Sequence, residues 1–377
     1  MNVLLLDQYG ELGGAQRCLL DLIPGLKDGG WRAHALVPAG GELKTRLESL
    51  GVEVAVISPG AYRSGRKSLG DAIRFAGKIP RLAEEIRRRI RRWQIGLVYV
   101  NGPRLLPAVA LARAGRPVLF HAHSYLHRDS ARKMAGWALR HTGATVAAVS
   151  RFVADSLTPW VPPSRMHVIL NGTADLSRPH NGQFPCAGVV GRIAPEKGQR
   201  EFVAAARLVL EAIPQCRFVL CGAAVLAPPD YDREVRARAQ GMPVEFTGWQ
   251  EDVGAILARL DLLVVPAVGE EGLCRVVIEA FSAKVPVVAF NSGGIRELVE
   301  DTVTGFLVKE RTPEALARRI VEVLRDRERM RTVADRARAL WEARLTLGRY
   351  RGAILEVMDR AAASRTPAPQ PAPDKQR

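Results

Sequence analysis

The stretch from Asp261 to Leu307 reads DLLVVPAVGEEGLCRVVIEAFSAKVPVVAFNSGGIRELVEDTVTGFL. It opens on an apolar run, Leu262 to Pro266, that ends at Ala267-Val268-Gly269, a buried strand and its turn. Glu270 and Glu271 precede an amphipathic segment, Arg275 to Ala283. A second apolar run, Val285 to Phe290, stops at Ser292-Gly293-Gly294, with Glu297 just beyond. Two strand ends, two turns and two helix N-termini therefore meet here. In open α/β sheets ligands bind outside the carboxyl ends of the strands, and a helix N-terminus offers free N–H groups and partial positive charge to an anion.

Glu271 and Glu279 are eight residues apart, slightly over two helical turns, so both can lie on roughly one side. Buried carboxylates need hydroxyl or cationic partners, and a hydroxyl-rich sugar is a good one. By themselves the two residues read as a solvated loop charge and an ordinary helix-surface charge. The wider pattern adds to them. Glu271-Gly-Leu-Cys-Arg-Val-Val-Ile-Glu279, followed by Ala280, Pro286-Val-Val-Ala, Ser292-Gly293-Gly294 and Thr304-Gly305-Phe306-Leu307, resembles the E-x7-E signature of the retaining GT-B glycosyltransferases of family 4. The sub-motifs follow the order and spacing of that family.

With 377 residues the chain is long enough for two ordinary domains. No apolar run approaches the roughly 20 residues of a membrane span. The first strand begins at Asn2, leaving no room for a signal peptide. Cys18, Cys186, Cys216, Cys221 and Cys274 have neither CxxC nor zinc spacing, as expected of reduced thiols in a cytoplasmic protein. With 55 Lys and Arg against 39 Asp and Glu the net charge is +16, which points to an anionic partner. Eleven of the basic residues, against three acids, lie between Ala61 and Trp93.

Asn2 to Leu6 is a short apolar strand. Gly10, Gly13 and Gly14 form the turn before a helix from about Ala15 to Leu26. Gly13-Gly14-Ala15-Gln16-Arg17 resembles the family's glycine-rich first loop, with Gln16 where Glu is common. Strands then alternate with helices at Ala33–Val37, Val52–Ile57, Gly96–Val100, Val118–Phe120, Thr145–Val149 and His167–Leu170, the pattern of a parallel, doubly wound sheet. In the third helix Phe75, Ile79, Leu82, Ile86, Ile90 and Trp93 form a core-facing stripe, and the arginines from Arg81 to Arg92 lie mostly off it. That basic helix, 74–92, reads as a solvated face or as a surface for an anionic membrane, which attracts basic residues at about 1 kcal/mol each. No recognition motif accompanies the charge, so nucleic acid is not expected.

His121 and His123 are at i and i+2 on a strand and point to one face. With no third ligand in register a metal is not expected. Ser150 reads as a helix N-cap, and Thr173 to Pro185 as an interdomain hinge. From Cys186 a second domain starts, and Gly191-Arg192-Ile193-Ala194-Pro195-Glu196-Lys197-Gly198 is strand, turn, then helix. Two cations five residues apart at a helix N-terminus can clamp a diphosphate and stabilise the charge it gains on leaving. Asp230-Tyr231-Asp232 follows two prolines and opens a helix, where Asp is a normal cap. Thr366 to Arg377, with its Pro-Ala repeats, reads as disordered.

The resemblance covers about Asn2 to Ala362. It implies an α/β GT-B fold of two Rossmann-like, doubly wound domains facing across a cleft: 1–172 on the acceptor side, a hinge at 173–185, a nucleotide-sugar-binding domain at 186–348, a last helix at 349–363 crossing back, and a tail at 364–377. It implies a retaining, metal-independent and cofactor-free transfer of a sugar from a UDP or GDP type donor to a hydroxyl acceptor, lipid-linked in many relatives. Arg192 and Lys197 would hold the diphosphate, with the backbone at Gly13, Gly14, Gly293 and Gly294 approaching phosphates and sugar. Glu271 would bind sugar hydroxyls and Glu279 the ribose. His123, with His121 as fallback, would lie at the reacting centre, and Thr247, Gly248 and Trp249 near the base. Two alternatives remain open from sequence: a nucleotide-sugar epimerase or isomerase on the same fold, and a non-catalytic donor-binding scaffold.

Overall fold

A computed structural model describes residues 1–59, 69–112, 114–181, 185–225 and 227–363. The tail at 364–377, the start of the basic segment at 61–68 and part of the hinge lie outside the described residues.

Among the described residues thirteen short strands, most of them buried aliphatic runs, build two sheets in which every pairing is parallel. The first contains β1 (Asn2–Leu6), β2 (Arg32–Pro38), β3 (Glu53–Ile57), β4 (Leu97–Val100), β5 (Val118–Ala122), β6 (Thr145–Ala148) and β7 (Met166–Val168). The second contains β8 (Cys186–Val190), β9 (Arg217–Cys221), β10 (Val244–Gly248), β11 (Leu262–Val265), β12 (Val287–Phe290) and β13 (Phe306–Val308). Strands buried on both faces lose the polar alternation of an exposed sheet, which is why they read as continuous apolar runs.

The orders are β3-β2-β1-β4-β5-β6-β7 and β10-β9-β8-β11-β12-β13. Both sheets are doubly wound, and both reverse direction next to their first strand. The crevice each reversal opens lies outside the carboxyl ends of β1 and β4, and of β8 and β11.

Helix boundaries follow the periodicity, with two differences, at 327–345 and at Asp230; the helix after β11 starts at Arg275 as expected. The helix after β11 is Arg275–Ser282, so Glu271 lies in the loop before it. Cys274 has φ +70 and stops the helix from extending back. The relation between Glu271 and Glu279 is therefore set by the loop rather than by helical phase. The helix expected from Arg327 to Arg344 is Arg327–Leu340, continued as one π turn at Trp341–Leu345. Asp230 is not a cap: Pro228 holds that position in the helix Pro229–Arg238, and Asp230 pairs with Arg233 inside the first turn.

The last helix, Leu347–Ala363, packs on the first sheet's helix Gly14–Asp28. Tyr350, Ile354 and Met358 share a core with Val3, Leu5 and Leu22. The Tyr350 hydroxyl donates to the Cys18 carbonyl at 3.1 Å, and Trp31 Nε1 to Asp359 at 2.9 Å. The two segments that run between the sheets touch at Thr173, whose N–H donates to Leu345 O at 3.0 Å and whose carbonyl accepts from Leu347 N at 3.0 Å.

Candidate active site

The loop after β8 carries Arg192 and Lys197. Gln199, fully buried, fixes its shape by donating to Arg192 O at 2.7 Å and accepting from Ala194 N at 3.2 Å. Gly198 has φ +74, and a Cβ there would lie 1.8 Å from Pro266 O at the end of β11. Only glycine lets this loop seat against β11. That contact brings Lys197 Nζ to 2.7 Å from Glu271 Oε1, both side chains partly buried. Burial acts to lower the Lys197 ammonium, but Glu271 and Cys274 together outweigh it, and the net direction is up. Arg192 donates to Glu196 Oε1 at 3.0 Å and Val225 O at 3.3 Å.

The turn after β12 packs under the Glu271 loop. Gly294 N–H donates to Glu271 O at 2.8 Å, and Gly293 N–H donates to the Glu270 carboxylate. Added Cβ atoms would lie 2.2 Å from Glu271 O at Gly293 and 2.0 Å from Gly272 O at Gly294. Both glycines thus support the loop that carries Glu271.

Glu279 faces the opposite sheet. Its Oε1 accepts from Arg275 Nε at 2.8 Å. Arg275 also reaches Asp21 Oδ2 at 2.7 Å and Cys18 Sγ at 3.5 Å, both on the helix Gly14–Asp28. Burial works to lower the Arg275 guanidinium, and Cys18, Glu279 and Asp21 outweigh it, holding it charged.

On the first sheet, β1 and β4 end in polar residues. Asp7, Gln16 and Asn101 are 0%, 3% and 3% exposed, so water does not solvate them. Asp7 accepts from Gln16 Nε2 at 2.9 Å, Asn101 Nδ2 at 2.7 Å and Tyr9 N at 2.9 Å. Gln16 Oε1 accepts from Gly13 N at 3.2 Å. Asn101 Oδ1 lies 2.8 Å from His123 Nε2. The His121 and His123 rings are 3.9 Å apart, and Tyr99 hydrogen-bonds His121 Nδ1. Burial, then the positive Arg275, pushes His123 down to about 3, so it is neutral near pH 7. Burial pushes Asp7 up to about 6 against the hydrogen bonds that favour its charge.

The two sheets meet over this site. A Cβ on Gly272 would lie 2.2 Å from His123 O, so the residue after Glu271 rests directly on the end of β5. Ser150 Oγ donates to Gly272 O at 2.6 Å and accepts from Val153 N at 3.1 Å, capping its helix as expected. Glu297 accepts from Arg151 N and Phe152 N, each at 2.8 Å. At the other flank Arg17 stacks on Trp249 at 5.2 Å, where β10 ends with Thr247 and Gly248 (φ +68). Gly14 faces Arg275.

The structure thus brings Gly13, Gly14, His123, Arg192, Lys197, Glu271, Glu279, Gly293 and Gly294 together where the two sheets meet, with Thr247, Gly248 and Trp249 at one flank. In the sequence Asp7 and Asn101 are given no role, and Arg275 and Glu297 stand out only for their places beside the two turns. Asp7 and Asn101 had a readable signal, since each is a polar residue directly ending an apolar strand.

Two family descriptions match the chain: Glycosyltransferase Family 4 over residues 12–175 and Glycosyl transferases group 1 over residues 185–326. The chain belongs to this family. The Anabaena protein HepE, solved in complex with UDP and glucose, is similar at a TM-score of 0.80 and 27% identity, covering 95% of this chain and 99% of that one. The fold is GT-B. Among curated relatives, the alpha-D-kanosaminyltransferase of Streptomyces kanamyceticus is 33% identical over 166 residues, 43% of this chain and 42% of that protein. A GDP-mannose-dependent phosphatidylinositol monomannoside mannosyltransferase of Mycobacterium tuberculosis is 30% identical over 256 residues, 60% of this chain and 64% of the relative. The chain therefore spans less than two thirds of the length of these curated relatives.

Proposed function

We propose that the protein is a retaining glycosyltransferase that moves a sugar from a nucleoside-diphosphate sugar to a hydroxyl acceptor, without metal or cofactor. The observation that carries the reading is Lys197, held 2.7 Å from Glu271, whose own loop rests at Gly272 on His123 at the end of β5. One cation and one carboxylate at the mouth of a crevice suit a diphosphate beside a hydroxyl-bearing ring.

In this reading Lys197 and Arg192 bind the diphosphate and stabilise the negative charge it gains as the glycosidic bond breaks. Glu271, released from Lys197, accepts from sugar hydroxyls, and Glu279 accepts from the ribose. Gly13 and Gly14 allow the first domain's backbone to approach the phosphates, and Gly293 and Gly294 hold the Glu271 loop at the sugar. Thr247, Gly248 and Trp249 flank the base. His123, neutral, lies over the reacting carbon. UDP is the favoured donor nucleotide because HepE, similar over almost its whole length, binds UDP and UDP-glucose. The GDP-mannose dependence of the mycobacterial relative keeps GDP as the comparison arm.

The acceptor belongs to cell-envelope polysaccharide or glycolipid assembly, and the enzyme works on the inner face of the membrane. No helix among the described residues is long and apolar enough to cross a membrane. Support for a peripheral association comes from the helix Leu69–Arg92, where Lys78, Arg81, Arg88, Arg91 and Arg92 are exposed while Leu82, Ile86, Ile90 and Trp93 are buried.

The test is thermal stabilisation by UDP, GDP and ADP, then turnover of the matching sugar donors. Saturation at about 100 times the dissociation constant adds about 2.7 kcal/mol to folding stability. Stabilisation by one nucleotide and transfer from its sugar would support the reading. A folded protein indifferent to every nucleotide would sink it.

A further inference from the structure

Hydrogen bonds to Asp7 fix the direction of the Gln16 and Asn101 amides. An ionised carboxylate only accepts, so the group Asn101 turns toward Asp7 is its NH2. Its carbonyl oxygen is thereby left facing His123 Nε2. A carbonyl oxygen cannot donate, so His123 must supply the proton and carry it on Nε2. The same logic runs the other way. Gln16 gives its NH2 to Asp7 and turns its carbonyl to the Gly13 N–H. Asp7, Gln16 and Asn101 are almost fully buried, so no water relaxes a reversed amide.

We propose that Asp7 is a positioning residue: through Asn101 it fixes His123 as the Nε2–H tautomer, and through Gln16 it fixes the glycine-rich loop at Gly13. His123 Nδ1 is then the lone-pair nitrogen, presented without a hydrogen-bond partner among the described residues. One carboxylate sets both the acceptor character of His123 and the N–H that defines the start of the helix Gly14–Asp28. The proposal rests on the reading that His123 lies at the reacting centre, and extends it from presence to protonation.

Asp7→Asn tests the logic at constant shape. The amide that replaces Oδ2 would face the Asn101 NH2 at hydrogen-bond range, donor against donor. Asn101 must turn over and offer its NH2 to His123 Nε2, which drives the imidazole to the Nδ1–H tautomer. Long-range proton–nitrogen spectra of 15N-histidine-labelled protein, with the His123 signals assigned by their loss in His123→Gln, read this directly. Wild type is expected to show Nε2–H and Asp7→Asn to show Nδ1–H. Turnover should fall by about 10- to 100-fold, the range for removing a partner that orients a functional histidine, mainly in kcat rather than KM. The double variant Asp7→Asn with Asn101→Asp restores an accepting oxygen opposite Nε2, so it should recover the Nε2–H tautomer and most of the turnover. A wild-type His123 protonated on Nδ1 would overturn the proposal, as would Asp7→Asn keeping both tautomer and rate. If His123→Gln turns over like wild type while the tautomer shifts as stated, the hydrogen-bond relay stands and the placing of His123 at the reacting centre falls.

Discussion

Lys197 donates to Glu271 across 2.7 Å, so the cation assigned to the diphosphate is held by the carboxylate assigned to the sugar. The pair holds both side chains in place until a donor arrives, and the donor must exchange one contact for two. Lys197→Ala removes the cation where negative charge develops and should lower kcat by about 100-fold or more. Lys197→Met, which keeps the stem, should match it in rate and exceed it in melting temperature. Steady-state kinetics beside thermal melts checks this. A Lys197→Met enzyme with wild-type kcat would remove Lys197 from the diphosphate site.

Arg275 joins Glu279 of the second sheet to Asp21 and Cys18 on the helix Gly14–Asp28. Its removal leaves the Glu279 carboxylate, 8% exposed, without its cation. Breaking one side of a buried pair costs about 3–5 kcal/mol. Arg275→Ala should therefore melt well below wild type. The double variant Arg275→Leu with Glu279→Leu should recover much of the loss, because an apolar pair needs no counter-charge, yet bind nucleotide poorly without the ribose contact. Equal melting temperatures for wild type and Arg275→Ala would show the ion cluster to be without structural weight.

Much of this architecture can be read from local pattern. Leu262–Val265 and Val287–Phe290 are legible as buried strands, and the stripe Leu82, Ile86, Ile90 and Trp93 as the inner face of a helix. Arg192, Lys197, Glu271 and Glu279 stand in motifs whose spacing is short, so each motif identifies itself. The partnerships do not. Asp7 meets Asn101 94 residues away, Lys197 meets Glu271 74 residues away, and Glu297 meets Arg151 across 146 residues. Those contacts depend on which strands adjoin and how one sheet faces the other, and neither is encoded in periodicity. Cys274 shows the same limit locally. The eight-residue spacing suggests a helical phase between the two glutamates, but the helix starts only at Arg275, after the left-handed Cys274, and Glu271 lies in the loop.

Gly294 supports the Glu271 loop from beneath, its N–H on Glu271 O and its missing side chain 2.0 Å from Gly272 O. Backbone atoms cannot give way to a methyl group there. Gly294→Ala should displace Glu271 and Gly272 and with them the contact to His123. The expected result is a loss of donor affinity larger than for Gly352→Ala, where an added Cβ meets nothing within 4 Å. Nucleotide titration by calorimetry distinguishes them, and equal affinities would mean that the loop does not need the glycine.

Acid pH should stop the enzyme before it unfolds it. Asp7 titrates at about 6 because burial disfavours its charge, and its neighbours Gln16, Asn101 and Tyr9 N all donate to it. Its folded value lies above the ordinary carboxylate value of 3.8, so protonating Asp7 favours the fold as pH falls from 6 toward 4. His123 works in the other direction. Its folded value, about 3, lies below its ordinary 6.5, so stability is lost as pH falls through that window. The two contributions oppose each other, and the melting temperature should change gently between pH 7 and pH 5. Turnover should not. A protonated Asp7 no longer accepts on both oxygens, so Asn101 is free to reverse, and kcat should drop along a single-proton limb centred near pH 6. In the double variant Asp7→Asn with Asn101→Asp that limb should move. An acid limb that stays near pH 6 in this variant would exclude Asp7 as the group that titrates.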